Sequence, residues 1–137
     1  MVRVEVLARR IAKMEECLSL LEGYRTMPLA QFLANPEHYH SAERLLHLSI
    51  EAATDMGNHI IADMQLGHAE YGSQVPDILA DRAGLPRDLA DAWVKMIGLR
   101  NILVHDYMEI DHALVHKIIQ NNLGDFTRLK AFFAQYL

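Results

Sequence analysis

Arg100 and His105 are side chains of types that act together on phosphate esters. An imidazole takes and gives a proton near neutral pH, and a guanidinium offers a planar fork of donors to an anion crowding in a transition state. Brought to one target, the two suit cleavage of an RNA phosphodiester without a metal. The imidazole would deprotonate the attacking 2′-hydroxyl or protonate the departing 5′-oxygen while the guanidinium stabilises the charge at phosphorus. One histidine per chain serves only one of those two jobs, so a symmetric pair of chains would supply the other. Asn101 could orient His105 or a phosphate oxygen, or cap the helix end, and Tyr107 could stack on a base or simply pack.

The helix that carries Arg100 explains why the residue is unusual. Apolar residues fall at Leu89, Trp93 and Met96, spacings of four and three, and one more step of four puts Arg100 on the same stripe. An unpaired buried cation costs on the order of several kcal/mol, so Arg100 must pair with a carboxylate, line a cleft or face a second subunit. Glu51 and Asp55, on a helix expected to pack antiparallel, are the candidate carboxylates. His105 lies five residues on, which in an uninterrupted helix is about 140° away. Convergence therefore requires the helix to loosen or end between them, and Asp106, Tyr107 and Met108 before a cap at Asp111 offer such an end. A structural reading stands beside this one: Arg100 in an ion pair, His105 as a helix C-terminal cap, Tyr107 as an anchor. Residue types alone leave both standing.

The string Arg100-Asn101-Ile102-Leu103-Val104-His105-Asp106-Tyr107 resembles the Arg, four residues, His, one residue, Tyr motif of HepT-type toxins, a branch of the all-α HEPN superfamily. The resemblance continues, in the family's order, through residues 50–55, 58–62, 75–76 and 85–90. It implies the toxin of a type VII-like toxin–antitoxin pair, a metal-independent endoribonuclease cutting tRNA or mRNA. The catalytic residues would be Arg100 and His105, composite across a homodimer interface, with Asn101, Asp55 and Glu51 in support. The implied partner is an MntA-like nucleotidyltransferase antitoxin that attaches AMP to Tyr107, adding anionic bulk where an RNA phosphate must approach. Asp106 departs from the pattern by placing a negative charge between His105 and Tyr107. Two further readings remain: a non-catalytic nucleotide-binding or docking subunit of the nucleotidyltransferase, with Arg100 holding a phosphate, and a structural dimer.

The rest of the chain must position these groups. Val4, Leu7, Ile11, Met14, Leu18 and Leu21 form the stripe of a first helix ending near Gly23. Thr26 reads as the cap of a short following helix. Asn35-Pro36-Glu37 opens the longest helix, expected to about Leu66, with Leu45, Leu48, Ala52, Met56, Ile60 and Met64 on its buried side. Residues 67–73 hold two glycines and no apolar period, a loop that could lie as a flap over a site. Residues 76–83 form a short helix stopped by Gly84; the motif helix then restarts at Pro86, and a last helix runs from Asp111. No strand alternation or internal repeat competes, so the expectation is all-α: an up-and-down, HEPN-like bundle of four to six helices in one domain, 1–137.

Composition narrows the function classes. A formal net charge of −5 argues against holding duplex DNA by bulk electrostatics and leaves room for a local basic cleft. The single Cys17 sits at helical spacing among apolar residues and reads as core. Arg3, Glu5, Arg9 and Arg10 interrupt the N-terminus where a secretory leader would be apolar, and no run nears the roughly 20 apolar residues that span a bilayer. A cytoplasmic protein without membrane association is expected. Among eight histidines, His112 and His116 share the spacing of a zinc pair, but no glutamate stands between them and no cysteine cluster completes a site, so they read as surface histidines. His47 has no evident companion. No metal and no cofactor are expected.

Overall fold

Asn35 and Pro36 start the helix on which the others pack. The Asn35 side chain accepts a hydrogen bond from the Glu37 backbone N–H at 3.0 Å, and Pro36 occupies the first turn, where its missing N–H costs nothing. The computed structural model describes residues 2–105 and 107–137, without the side chain of Tyr107. The α-helices are α1 (Val4–Arg25), α2 (Leu29–Ala34), α3 (Pro36–Asp63), α4 (Val75–Arg82), α5 (Arg87–His105) and α6 (His112–Ala134). Single 3-10 turns stand at Gly72–Gln74 and Tyr107–Glu109, and no strand occurs among the described residues.

Long-range pairs fix the directions. Arg3 meets Asp63 and Arg10 meets Asp55, so α1 runs antiparallel to α3. Arg100 meets Glu51 while Trp93 lies beside Gly57, so α5 is also antiparallel to α3. Lys130 meets Glu15 and His116 reaches Met27, which sets α6 antiparallel to α1. The result is the expected up-and-down bundle, with α1, α3, α5 and α6 as its long members and α2 and α4 closing its sides.

α3 is in contact with every other α-helix, and this moves its buried face away from a single stripe. Ala42, Leu46, Ser49, Ile50, Ala53, Met56, Gly57 and Ile60 are buried, whereas Leu45 and Leu48 are half-buried and Met64, just past the helix end, is exposed. Ser49 enters this core because its hydroxyl donates to the Leu45 carbonyl at 2.8 Å. In α1 the seam rotates similarly: Cys17 is buried, Leu18 is half-buried and Val4 is exposed. Two boundaries also differ from expectation. α1 passes through Gly23, which is exposed on a surface where helix propensity alone does not end a packed helix, and Thr26 closes α1 while Pro28 precedes α2. The stop at Gly84 is as expected, with φ of +75° that a side chain would resist. Gly124 lies inside α6 without interrupting it.

The core is aromatic where α2, α5 and α6 meet α3. Phe32, Trp93, Phe126 and Phe133 are fully buried, each stabilising the fold by roughly 1.5–3 kcal/mol relative to exposure, and Trp93 stands edge-on to Phe133 at 5.8 Å. Gly57 allows this packing. A Cβ there would clash with the Val75 side chain and come to 3.0 Å from Trp93 and 3.3 Å from Leu79. Gly57→Ala is therefore expected to destabilise the protein by ~1–3 kcal/mol through overpacking. Thermal unfolding should show a melting temperature lowered by several degrees.

Candidate active site

α5 delivers Arg100 to the surface of α3 as the apolar stripe requires. Leu89, Trp93 and Met96 are buried, and one turn later the Arg100 side chain is 29% exposed, at the margin where the core gives way to solvent. Its Nε donates to the Glu51 carboxylate and its Nη1 donates to the Asn101 side-chain oxygen at 3.2 Å. Of the two candidate carboxylates, Glu51 takes the guanidinium. Asp55 lies a turn further along α3 and is engaged by Arg10 of α1 instead. Asn101 thus accepts from Arg100 within α5, four residues before the helix ends at His105.

Glu51 is embedded in a longer polar row along α3. His47 Nε2 lies 3.8 Å from its carboxylate, and Arg44 Nη1 donates to His47 Nδ1 at 2.9 Å. Burial pushes the His47 imidazole below its ordinary range; the Glu51 charge opposes this, and Arg44 and Arg100 add to it. His47 thus faces Arg44 through Nδ1, while Arg100 makes the closer contact with Glu51. This companionship follows helical spacing, since Arg44, His47 and Glu51 stand three and four residues apart on one face of α3.

α5 continues unbroken through His105, so the helix ends after the histidine and not between it and Arg100. The two side chains leave the helix about 140° apart, Arg100 toward α3 and His105 exposed on the final turn. Within one copy, no helix break turns them toward each other. A shared target must be reached by long side chains around the helix end or across a second copy. Asp106 and the Tyr107 side chain, where the departure from the motif and the expected modification fall, lie outside the described residues.

A cleft of about 470 Å³ opens beside Arg100. Glu51 and Thr54 of α3 form one wall, Arg100 and Asn101 of α5 another, and residues 70–73 of the expected flap loop form its rim. On the other side of α5, the histidines of the supposed surface pair have inward partners. His112 Nδ1 donates to Glu43, a carboxylate 7% exposed, and Tyr39 stacks on the His112 ring at 3.8 Å. His116 is buried, donates to the Met27 carbonyl at 2.7 Å and lies against Phe32. The reading as a surface group is corrected for His116, which is buried, whereas His112 stays partly exposed and fits snugly against Glu43; their partners are 89 and 69 residues away in sequence. Among the described residues no three His, Cys, Asp or Glu side chains are grouped to hold a metal ion, and no helix is long and apolar enough to cross a membrane.

A family model described as ribonuclease HepT-like matches residues 14–133, nearly the whole bundle together with the motif helix. The chain belongs to the HepT-like family. An mRNA nuclease HepT of Shewanella oneidensis is 40% identical over 76 residues, which span 56% of this chain and little more than half, 57%, of that relative's length. A tRNA nuclease HepT of Aphanizomenon flos-aquae is 29% identical over 121 residues, 88% of this chain and 82% of that protein. Among solved structures, a tri-AMPylated Shewanella oneidensis HEPN toxin in complex with MNT antitoxin superposes with a TM-score of 0.88 at 28% identity, over 95% of this chain and 97% of that one. The HepT-like bundle and the motif helix are therefore shared along their length.

Two substitutions separate support from packing. The Glu51–Arg100 pair is partly exposed, so Glu51→Gln is expected to change unfolding free energy by less than about 1 kcal/mol. His116→Ala leaves the Met27 carbonyl unpaired and a void beside Phe32, and should cost about 2–4 kcal/mol. Urea unfolding of both variants checks the contrast.

Proposed function

We propose that this chain is the toxin ribonuclease of a type VII-like toxin–antitoxin pair, cleaving tRNA or mRNA in the cytoplasm without a metal. The observation that carries the reading is Arg100: a half-buried guanidinium, braced by Glu51 and Asn101 at the mouth of an open cleft, in a HepT-like chain. With Nε held by Glu51 and one Nη1 donor taken by Asn101, the remaining Nη donors of Arg100 at the cleft wall suit the oxygens of a phosphate. Such a brace costs no reorganisation when charge builds at phosphorus. His105, exposed at the helix end, supplies the proton transfer.

Each copy offers one imidazole, so we assign the second proton transfer to a second copy across a two-fold axis. Exposed apolar residues support that arrangement: Ile102 is 43% and Met108 82% exposed, each three residues from His105. Apolar side chains beside a polar site are the usual core of an interface. The antitoxin in this reading is a small MntA-like nucleotidyltransferase. AMP placed on Tyr107, two residues beyond His105, sets a phosphate anion where the RNA phosphate must come and blocks it by bulk and by repulsion. The Shewanella toxin of matching fold carries three AMP groups, which fits a family silenced by modification.

Purified protein is expected to cut RNA, and Arg100→Ala or His105→Ala should lower the rate by at least a hundredfold with melting temperatures near wild type. Intact RNA together with tight nucleotide binding would instead favour a docking subunit of the nucleotidyltransferase. Met108→Glu is expected to shift the protein toward monomer in analytical ultracentrifugation and to lose cleavage in parallel. Mass spectrometry after incubation with the cognate nucleotidyltransferase and ATP should find AMP on Tyr107, and Tyr107→Phe should stay active under the same treatment.

A further inference from the structure

The cleft beside Arg100 has two chemically different ends. At one end Arg100 and Asn101 offer donors, and at the other the rim carries Glu70, Tyr71, Gly72 and Ser73. Tyr71 is 66% exposed, and no other ring packs against it among the described residues. Its backbone is nevertheless held firmly. Gln74 Oε1 accepts from the N–H of Glu70 at 2.8 Å and of Tyr71 at 3.3 Å, while the Gln74 N–H donates to the Tyr71 carbonyl at 3.0 Å. The turn also sits down on α3, since a Cβ on Gly72 would come within 3.5 Å of the Thr54 methyl. The loop thus presents an uncovered aromatic face from a fixed backbone beside the guanidinium.

We propose that Tyr71 is a stacking platform for the base adjoining the phosphate held by Arg100, which makes single-stranded RNA the substrate. The inference rests on the ribonuclease reading and names the form of RNA that the same site accepts. Charge orders the strand across the cleft. Glu70 repels a phosphate at the loop end, whereas a neutral base tolerates the carboxylate and can donate N–H groups to it. A base is free to lie on an aromatic ring only when it has left its duplex, so the platform selects loops and unpaired ends. The volume of about 470 Å³ falls within the range of sites that enclose a small ligand, enough for a base and its sugar. The rim's other side chains, those of Glu70 and Ser73, are polar, which suits a base edge better than the apolar core of a protein contact.

The test uses the full chain and a 2′-O-methyl oligoribonucleotide, which lacks the attacking hydroxyl, so that fluorescence anisotropy reads binding apart from cleavage. Tyr71→Ala is expected to weaken binding of the single strand by about tenfold, Tyr71→Phe to bind as wild type does, and a duplex of the same sequence to bind weakly with no response to either change. If wild type cuts the unmodified strand and Tyr71→Ala binds as tightly as wild type, the platform is wrong and the ribonuclease reading stands. If Tyr71→Ala loses binding in a protein that cuts nothing, the platform stands and the ribonuclease reading falls. A variant that changes only the sedimentation of the protein, with strand binding intact, would make Tyr71 a protein contact and overturn the proposal.

Discussion

A guanidinium at a position that packing reserves for an apolar side chain is the constraint around which α3 and α5 are arranged. Arg100 cannot be sealed in the core without a countercharge, and it cannot leave the stripe without unseating Trp93 and Met96 below it. Glu51 resolves both demands at once, and it does so from the margin of the core, where desolvation is partial and the pair's net contribution to stability is small. Its value lies in direction. The carboxylate takes the Nε side of the fork and Asn101 takes one donor of Nη1, which leaves the remaining donors at the cleft wall, while His47 is bonded to Arg44.

The same logic governs the charged residues along α1 and α3. Arg3 bridges Asp63 and His59, and Arg10 holds Asp55, so the polar residues that crowd this face of α3 are ties between helices. Polarity beside an apolar stripe here marks a seam, and Arg100 of α5 meets the same face of α3 at Glu51, beside the open cleft.

Helix periodicity made the bundle legible. The stripes of α1, α5 and α6, the Asn35-Pro36 start, the Gly84 stop and the Asp111 cap all carry local chemistry, and the capping bonds from Ala113 and Leu114 to Asp111, both 3.1 Å, sit where the residue types put them. α3 was the hardest to read because it is surrounded: a helix touched on several sides has no single buried stripe, and Met64 and Leu48 fall outside the face that Ser49 and Gly57 belong to. Site geometry was legible only in part. Arg100 announced its need for a carboxylate, but the choice of Glu51 over Asp55 depended on the relative slide of two helices. His112 and His116 were opaque for the same reason, since their partners are set by packing, whereas His47 meets Arg44 and Glu51 at the three- and four-residue spacing of its own helix and was legible there. Continuity of α5 through His105 was missed because a following cap signals that a helix will end without saying at which residue.

Five residues join His105 to the Asp111 cap of α6, and both anchorages are firm: α5 is rooted in the core through Trp93, and the first turn of α6 is bolted to α3 by His112 on Glu43 beneath the Tyr39 ring. At no more than ~3.5 Å per residue, that span ties the end of α5 to the start of α6. The end of α5 therefore cannot be drawn away from α3 without pulling on the His112–Glu43 contact that seats the start of α6.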